Sequence, residues 1–208
     1  MVGAVRRSGP NRSLKSAVFL KRDKTMLCKS LHHAAFRCKD ARETVEFYTG
    51  VLGLNFIHAM GEDHVPSTGK YSPHIHIFFE MEDGSCIAFF ECPEDAGETS
   101  GRDPATPDWI QHFAFRVKDM DVLLKAKADI EAKGINVVGP TNHDDFLHSI
   151  YFFDPSGHRL ELSVQTLTPE MDRVHRTSAM AVLEHWDERH NWSEREKIFG
   201  AQSGYVHA

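Results

Sequence analysis

Apolar and polar positions follow the same order twice between residues 31 and 165. Residues 33–40 (HAAFRCKD) match residues 112–119 (HFAFRVKD) at six of eight positions, and in both copies a stretch with helical periodicity follows the aspartate. Three runs with the composition and alternation of strands come after each of these stretches. Because duplicated folds show themselves by such self-similarity, the pattern predicts two βαβββ modules and an α+β fold.

Each predicted helix begins after an aspartate and ends near a glycine. Asp40 and Asp119 suit N-cap positions, because a carboxylate can accept hydrogen bonds from the free backbone N–H groups of the first turn. The helices are predicted at residues 41–51 and 122–133, and Gly134 stops the second one. The strands that follow them are predicted at residues 54–58, 74–80, 86–92, 135–138, 147–153 and 159–164.

The repeat also sets the predicted domain boundaries. Residues 31–165 form one domain, with module one at about 31–92 and module two at about 110–165. Residues 166–208 are predicted to form a C-terminal helix and tail, because Pro169 opens an amphipathic pattern.

The first thirty residues differ in composition from the rest. Residues 1–30 contain eight Arg and Lys residues and a single acid, Asp23. Such a basic, acid-poor segment is expected to be a disordered leader, with an organelle transit peptide or a start codon upstream of Met26 as the alternatives.

Bulk composition limits the function classes. The contents of 41% hydrophobic and 26% charged residues are near those of ordinary globular proteins, and no apolar run has the length of a membrane span or signal peptide. A formal net charge of -6 lacks the basic excess of a nucleic-acid-binding surface. The four cysteines lack CxxC spacing and are expected to be reduced. We therefore expect a cytoplasmic protein with a small-molecule substrate, no nucleic-acid partner and no membrane contact.

Strand alternation predicts which side chains leave the core. Phe113 and Phe115 form an apolar face, so His112 points to the opposite face of its strand. In the last predicted strand, Leu160 and Leu162 form the apolar side, and Glu161 lies on the other side. Glu161 is therefore a carboxylate among hydrophobic residues, a position that needs a bound partner.

These residues predict a metal site. A single histidine at the start of a strand is usually structural, but His33 and His112 occupy the same position in both repeats. Imidazole and carboxylate together suit Fe(II), Zn, Mn or Ni, so we predict that His33, His112 and Glu161 bind a metal and leave coordination positions open. The position of Glu161 corresponds to Ala88 in module one. The alternative is a fourth ligand, Glu91, which a β-bulge could turn towards the site.

The chain resembles the vicinal-oxygen-chelate (VOC) superfamily, which includes glyoxalase I, extradiol dioxygenases, fosfomycin-resistance enzymes and bleomycin-resistance proteins. The resemblance covers about residues 31–165 and implies that the two modules form a half-open, barrel-like metal cleft. The stretches TNH (residues 141–143), IY (150–151) and DPSG (154–157), followed by Glu161, are similar to the extradiol dioxygenase signature.

The same resemblance implies roles for individual residues. His33, His112 and Glu161 would be the iron ligands, and His143 and Tyr151 would be catalytic residues beside a bound catecholate. Strand parity agrees, because His143 and Tyr151 are an even number of residues apart.

The chain also departs from two subgroups of this superfamily. Ser85 stands where the extradiol enzymes would align an acid-base histidine, and His74 and His76 could substitute for it or belong to a half-exposed sheet. The module-one carboxylate of the glyoxalases aligns with Ala88.

Three functions follow from this comparison. The first is an Fe(II)-dependent extradiol-type dioxygenase, an oxidoreductase that cleaves a catechol or polyphenol-like diol with O2. The second is a glyoxalase-like isomerase or lyase that uses Zn, Ni, Co or Mn without oxygen. The third is a metal-free binding protein of the bleomycin-resistance kind. In each case the chain could assemble as a homodimer.

Overall fold

A computed structural model describes residues 27–93 and 105–189 of the chain. The chain divides by compactness into two units, Met1–Leu31 and a main unit, His32–Ala208. The described residues of the first unit, 27–31, are exposed. The predictions of a disordered leader, a transit peptide or an alternative start codon concern residues 1–26, which lie outside the described residues, and they stay predictions. The predicted domain boundaries also stay predictions.

The main unit contains two βαβββ modules and a C-terminal helix, so the predicted α+β class is confirmed. Module one comprises β1 (His33–Arg37), α1 (Ala41–Gly50), β2 (Asn55–His64), β3 (Tyr71–Glu80) and β4 (Cys86–Glu91). Module two comprises β5 (His112–Arg116), α2 (Met120–Ala132), β6 (Val138–His143), β7 (Leu147–Phe153) and β8 (Arg159–Gln165). Helix α3 (Pro169–Arg189) begins at the predicted proline. In the described part of the chain, no helix combines the length and apolarity needed to cross a membrane.

Both modules form mixed four-stranded sheets with the same strand order, β1-β4-β3-β2 and β5-β8-β7-β6. In each sheet the first strand pairs in parallel with the last, and the other pairs are antiparallel. Ala35 lies opposite Ala88 in module one, and Ala114 lies opposite Glu161 in module two. The register therefore confirms that Ala88 and Glu161 are equivalent positions.

The aspartate caps are present in both modules. The Asp40 carboxylate accepts a hydrogen bond from the Glu43 amide at 2.8 Å, and Asp119 accepts one from Val122 at 3.0 Å. Each bond satisfies a backbone donor that the first helical turn leaves unpaired. Helix α2 thus begins directly after its cap, at Met120, two residues before the predicted start.

The prediction of a strand at residues 135–138 is wrong, because β6 begins only at Val138. The amide of Ile135 donates to the Ile130 carbonyl at 3.4 Å, so this residue still belongs to the helix end, and Val137 packs into the core. Ile135 and Val137 have apolar, β-branched side chains, which are typical of strands, and this explains the wrong prediction.

At Gly139 a Cβ atom would lie 2.6 Å from the Ser149 carbonyl oxygen, so only glycine fits this approach of β6 to β7.

The predicted end of β2 was also wrong. This strand continues past residue 58 to His64 and is exposed throughout, so it shows little of the apolar alternation by which strands are recognised. Its backbone pairing with β3 holds it in the sheet.

The two modules share one hydrophobic core. The rings of Phe36 in β1 and Phe113 in β5 have centroids 4.4 Å apart. Cys38 is buried in this core, and burial raises the pKa of its thiol to about 11, so it stays a neutral, inert thiol at physiological pH. Cys86 is also buried.

The turn at residues 154–157 joins the modules. The hydroxyl of Tyr48 in α1 donates to the Asp154 carboxylate at 3.0 Å, and the Lys39 amide donates to the Ser156 hydroxyl at 3.1 Å. A ring nitrogen of His158 lies 2.7 Å from the Arg37 carbonyl oxygen. Burial raises the pKa of Tyr48 and also that of Asp154. These contacts fix the start of β8, which carries Glu161.

We expect Tyr48→Phe to lower the free energy of unfolding by about 1–3 kcal/mol, because Tyr48 is fully buried and the substitution removes the donor for Asp154. Tyr71→Phe is the matched control, since Tyr71 is 58% exposed, and it should change stability by less than about 0.5 kcal/mol. Urea denaturation of the purified variants measures both. Equal stability of the two variants would show that the contact between the modules contributes little.

Candidate metal centre

The centre of the candidate site is a pair of side chains on adjacent parallel strands. His112 begins β5 and lies opposite Arg159 in β8, and Glu161 follows two residues later on the same face. His112 Nε2 and Glu161 Oε2 are 2.8 Å apart. The His112 side chain is 31% exposed and that of Glu161 only 4%, so the pair opens to solvent on the histidine side.

The hydrogen bonds of His112 determine what can lie between these two atoms. Its Nδ1 is 2.9 Å from the carbonyl oxygen of Ile110, which can only accept, so Nδ1 carries a proton. In a neutral imidazole, Nε2 then offers a lone pair towards the Glu161 carboxylate. Two acceptors this close need a shared proton or a cation between them.

The second carboxylate oxygen of Glu161 is also occupied. Ser149 in β7 donates its hydroxyl to Glu161 Oε1 at 2.5 Å, and both side chains are buried. Ser149 was not among the predicted site residues. Strand parity could have found it, because Ser149 lies two positions before Tyr151 and so shares its face, but serine is not among the residue types that suggest metal or acid-base chemistry.

Tyr151 and His143 lie together beside this pair. The Tyr151 hydroxyl is 2.7 Å from His143 Nε2, and Tyr151 lies opposite Glu161 in the sheet register. The ring centroids of Tyr151 and His112 are 6.2 Å apart. Burial raises the pKa of Tyr151 and the Glu161 carboxylate raises it further, so the phenol keeps its proton at neutral pH. The structure thus brings together four of the five predicted site residues.

His33 is the predicted ligand that the structure does not bring to this group. It is exposed on module one, where Nδ1 of the neighbouring His32 lies 2.8 Å from its own Nδ1. Its ring is 5.9 Å from that of His76 and 5.3 Å from that of Phe78, centroid to centroid. Within residues 27–93 and 105–189, no three His, Cys, Asp or Glu side chains are grouped so that they could hold a metal ion.

The face of module one around His33 differs from the face around His112. Phe78 lies opposite Ala88, as Tyr151 lies opposite Glu161, so a phenyl ring replaces the phenol and a methyl group replaces the carboxylate. Burial lowers the pKa of His76, and His33 and His74 lower it further. His76 Nε2 is buried and has no hydrogen-bond partner among the described residues.

The positions of Glu91 and Ser85 bear on the alternatives. Glu91 Oε2 accepts a hydrogen bond from the Ala41 amide at 2.7 Å, so its carboxylate binds the first turn of α1. This contact disfavours Glu91 as a fourth ligand. Ser85 donates its hydroxyl to Asp83 in the turn before β4 at 2.5 Å, which accounts for the residue as part of that turn.

Two βαβββ modules in one chain, with a histidine and carboxylate pair on the open face of one sheet, define the class of protein. The chain belongs to the Glyoxalase/Bleomycin resistance protein/Dioxygenase superfamily, whose family model matches residues 30–162. The uncharacterized protein YwkD of Bacillus subtilis is 31% identical over 142 residues, which are 67% of this chain and 100% of that protein. The resemblance inferred from the sequence is therefore confirmed at the level of the superfamily.

Solved structures agree with the fold. The glyoxalase family protein from Enterococcus faecalis has a TM-score of 0.51 and 22% identity, over 66% of this chain and 99% of that chain. The glyoxylase/bleomycin resistance protein/dioxygenase domain from Frankia sp. has a TM-score of 0.54 and 16% identity, over 66% of this chain and 98% of that chain. At these identities the likeness concerns the fold alone.

Proposed function

We propose that this protein is a metal-dependent enzyme of the extradiol dioxygenase type, which cleaves a catechol or polyphenol-like diol with O2. The observation that carries the proposal is the approach of His112 Nε2 to Glu161 Oε2, at 2.8 Å. Tyr151 and His143 lie beside this pair, on the same face of the sheet, and both side chains can hold and transfer protons.

The geometry of the pair fits a metal ion. Ligand atoms at right angles around an ion, each at about 2.1 Å, lie about 3 Å apart, close to the spacing of these two atoms. Ser149 orients the carboxylate through its other oxygen, and the Ile110 carbonyl orients the imidazole. Such outer hydrogen bonds are typical of metal ligands. Fe(II) is the proposed metal, with Zn, Ni, Co or Mn as the alternatives.

His33 remains the proposed third ligand, and a second copy of the chain would supply it. Its side chain is exposed, and the contacts of its ring are with residues of module one. A homodimer in which module one of each copy faces module two of the other would bring His33 to the pair twice, by symmetry.

The metal and the residues around the pair would have different roles in the reaction. A metal held by His112 and Glu161 would supply Lewis acidity for the two diol oxygens and, as Fe(II), electrons for O2. Tyr151 keeps its proton and can donate a hydrogen bond to a substrate oxygen. His143 Nε2, 2.7 Å from that hydroxyl, can accept a proton through Tyr151 or return one.

Oxygen consumption tests this proposal directly. We expect anaerobically prepared, Fe(II)-loaded protein to consume O2 with at least one member of a catechol and polyphenol panel, and Glu161→Gln to abolish this consumption. Ser163→Ala is the matched control, because Ser163 lies on the same face of β8 but its hydroxyl contacts the Phe115 carbonyl. Stoichiometric iron with no oxygen consumption across the panel would contradict the dioxygenase assignment.

The glyoxalase-like isomerase or lyase is the second candidate. The observation that favours it is the Ser85 hydroxyl, which is bound to Asp83 and leaves no acid-base group where the extradiol enzymes would place one. This function predicts turnover of a hydroxy-carbonyl substrate under anaerobic conditions with Zn, Ni, Co or Mn. A protein that binds no metal at all would instead match the binding proteins of the superfamily.

Complementation between two defective variants tests the source of His33. We expect His33→Ala and His112→Ala to lose metal binding when each is purified alone. A heterodimer of the two, isolated through different affinity tags, contains one intact site and should hold half the metal of the wild-type dimer. A heterodimer without metal would show that His33 reaches the pair within its own chain. Metal retained by His33→Ala purified alone would show that His33 is not a ligand.

A further inference from the structure

A cleft of about 420 Å³ opens beside Tyr151 at the end of module two where β8 begins. Its volume lies in the range of small-molecule sites. Trp109, Val138 and Phe153 form apolar walls and are respectively 69%, 57% and 47% exposed. Large apolar side chains that are exposed together commonly mark a binding surface.

This cleft lies on the same sheet face as the candidate metal centre. Arg159, one of its lining residues, lies opposite His112 in β5 and opposite Phe153 in β7. Tyr151 lines the cleft and also contacts the candidate site through His143 and His112. A molecule bound at His112 and Glu161 could therefore extend into the cleft.

Arg159 is the cation of this cleft. Its guanidinium carbon lies 4.1 Å from the centroid of the Tyr151 ring, so the side chain is held by stacking. Among the residues that the structure describes, the Arg159 guanidinium has no ion-pair partner and no hydrogen-bond partner. The nearby Glu161 is occupied by His112 and Ser149, and Asp108 on the cleft wall has an interaction of its own.

An unpaired guanidinium at the mouth of an apolar cleft has a specific chemistry. Its planar fork of N–H donors matches the oxygens of a carboxylate or a phosphonate, and stacking on Tyr151 fixes the fork before a ligand arrives. The apolar walls suit a ring or hydrocarbon body.

We propose that the substrate is an aromatic or apolar molecule with an oxyanion group, which Arg159 binds while the reacting end lies at His112 and Glu161. The placement of the reacting end rests on the proposed function. The recognition of the oxyanion by Arg159 can be measured separately, because it needs no metal.

Binding of matched small probes tests this inference. Full-length protein treated with a chelator is titrated by ligand-observed NMR with benzoate, with phenylphosphonate and with the neutral isostere benzamide. We expect at least one of the two anions to bind about ten-fold to a hundred-fold more tightly than benzamide, as a charge-assisted hydrogen bond would give. The comparison of benzoate with phenylphosphonate identifies the preferred oxyanion.

Substitution of the arginine assigns the effect to one side chain. Arg159→Gln should remove the preference for the anion, and Arg159→Lys should retain part of it, because lysine keeps the charge without the fork. Arg116→Gln is the matched control, since Arg116 lies on the same sheet face but donates to Gln165 at 2.6 Å. It should leave the preference unchanged.

Equal binding of the anions and benzamide, or an unchanged preference in Arg159→Gln, would overturn the inference. Metal affinity of the same variants is measured in parallel. Loss of anion preference in Arg159→Gln supports the inference whether or not the wild-type protein binds metal. Absence of metal binding in the wild-type protein counts against the proposed function alone.

Discussion

A carboxylate that is almost fully buried needs partners, and Glu161 has them on the strands at either side of its own. His112 in β5 faces one oxygen and Ser149 in β7 faces the other. Glu161 lies on the polar face of β8, and the other face of this strand is apolar. The Tyr48–Asp154 bond anchors the turn before β8 to α1, and the position of Glu161 depends on where that strand begins.

The duplication shows how one scaffold can carry two different faces. The register makes Ala88 and Phe78 of module one equivalent to Glu161 and Tyr151 of module two. Module one therefore offers His33 without a carboxylate, whereas module two has the pair and its hydrogen-bonded neighbours. An arrangement with one histidine from module one and the pair from module two would leave positions around a metal open to substrate, and this is the basis of our proposal.

Much of this structure follows from local patterns in the sequence. Alternation predicted the exposed face of β5 and the shared face of His143 and Tyr151. Both aspartates cap a helix as predicted, although α2 begins two residues earlier than expected. The start of β6 was missed because Ile135 and Val137 are as apolar as strand residues, although Ile135 bonds back to the helix end and Val137 packs into the core. Ser149 was missed because its role exists only next to Glu161. The position of His33 relative to the pair depends on how whole modules pack. The alternation of side chains along a strand gives only the face of its own sheet on which a residue lies.

Anomalous diffraction at the iron edge tests the central claim, that His112 and Glu161 hold a metal, most directly. Crystals of the protein loaded with Fe(II) under anaerobic conditions should show an anomalous peak within about 2.0–2.2 Å of both His112 Nε2 and Glu161 Oε2. An iron peak bound to other residues, with an unbridged hydrogen bond between His112 and Glu161, would contradict the account.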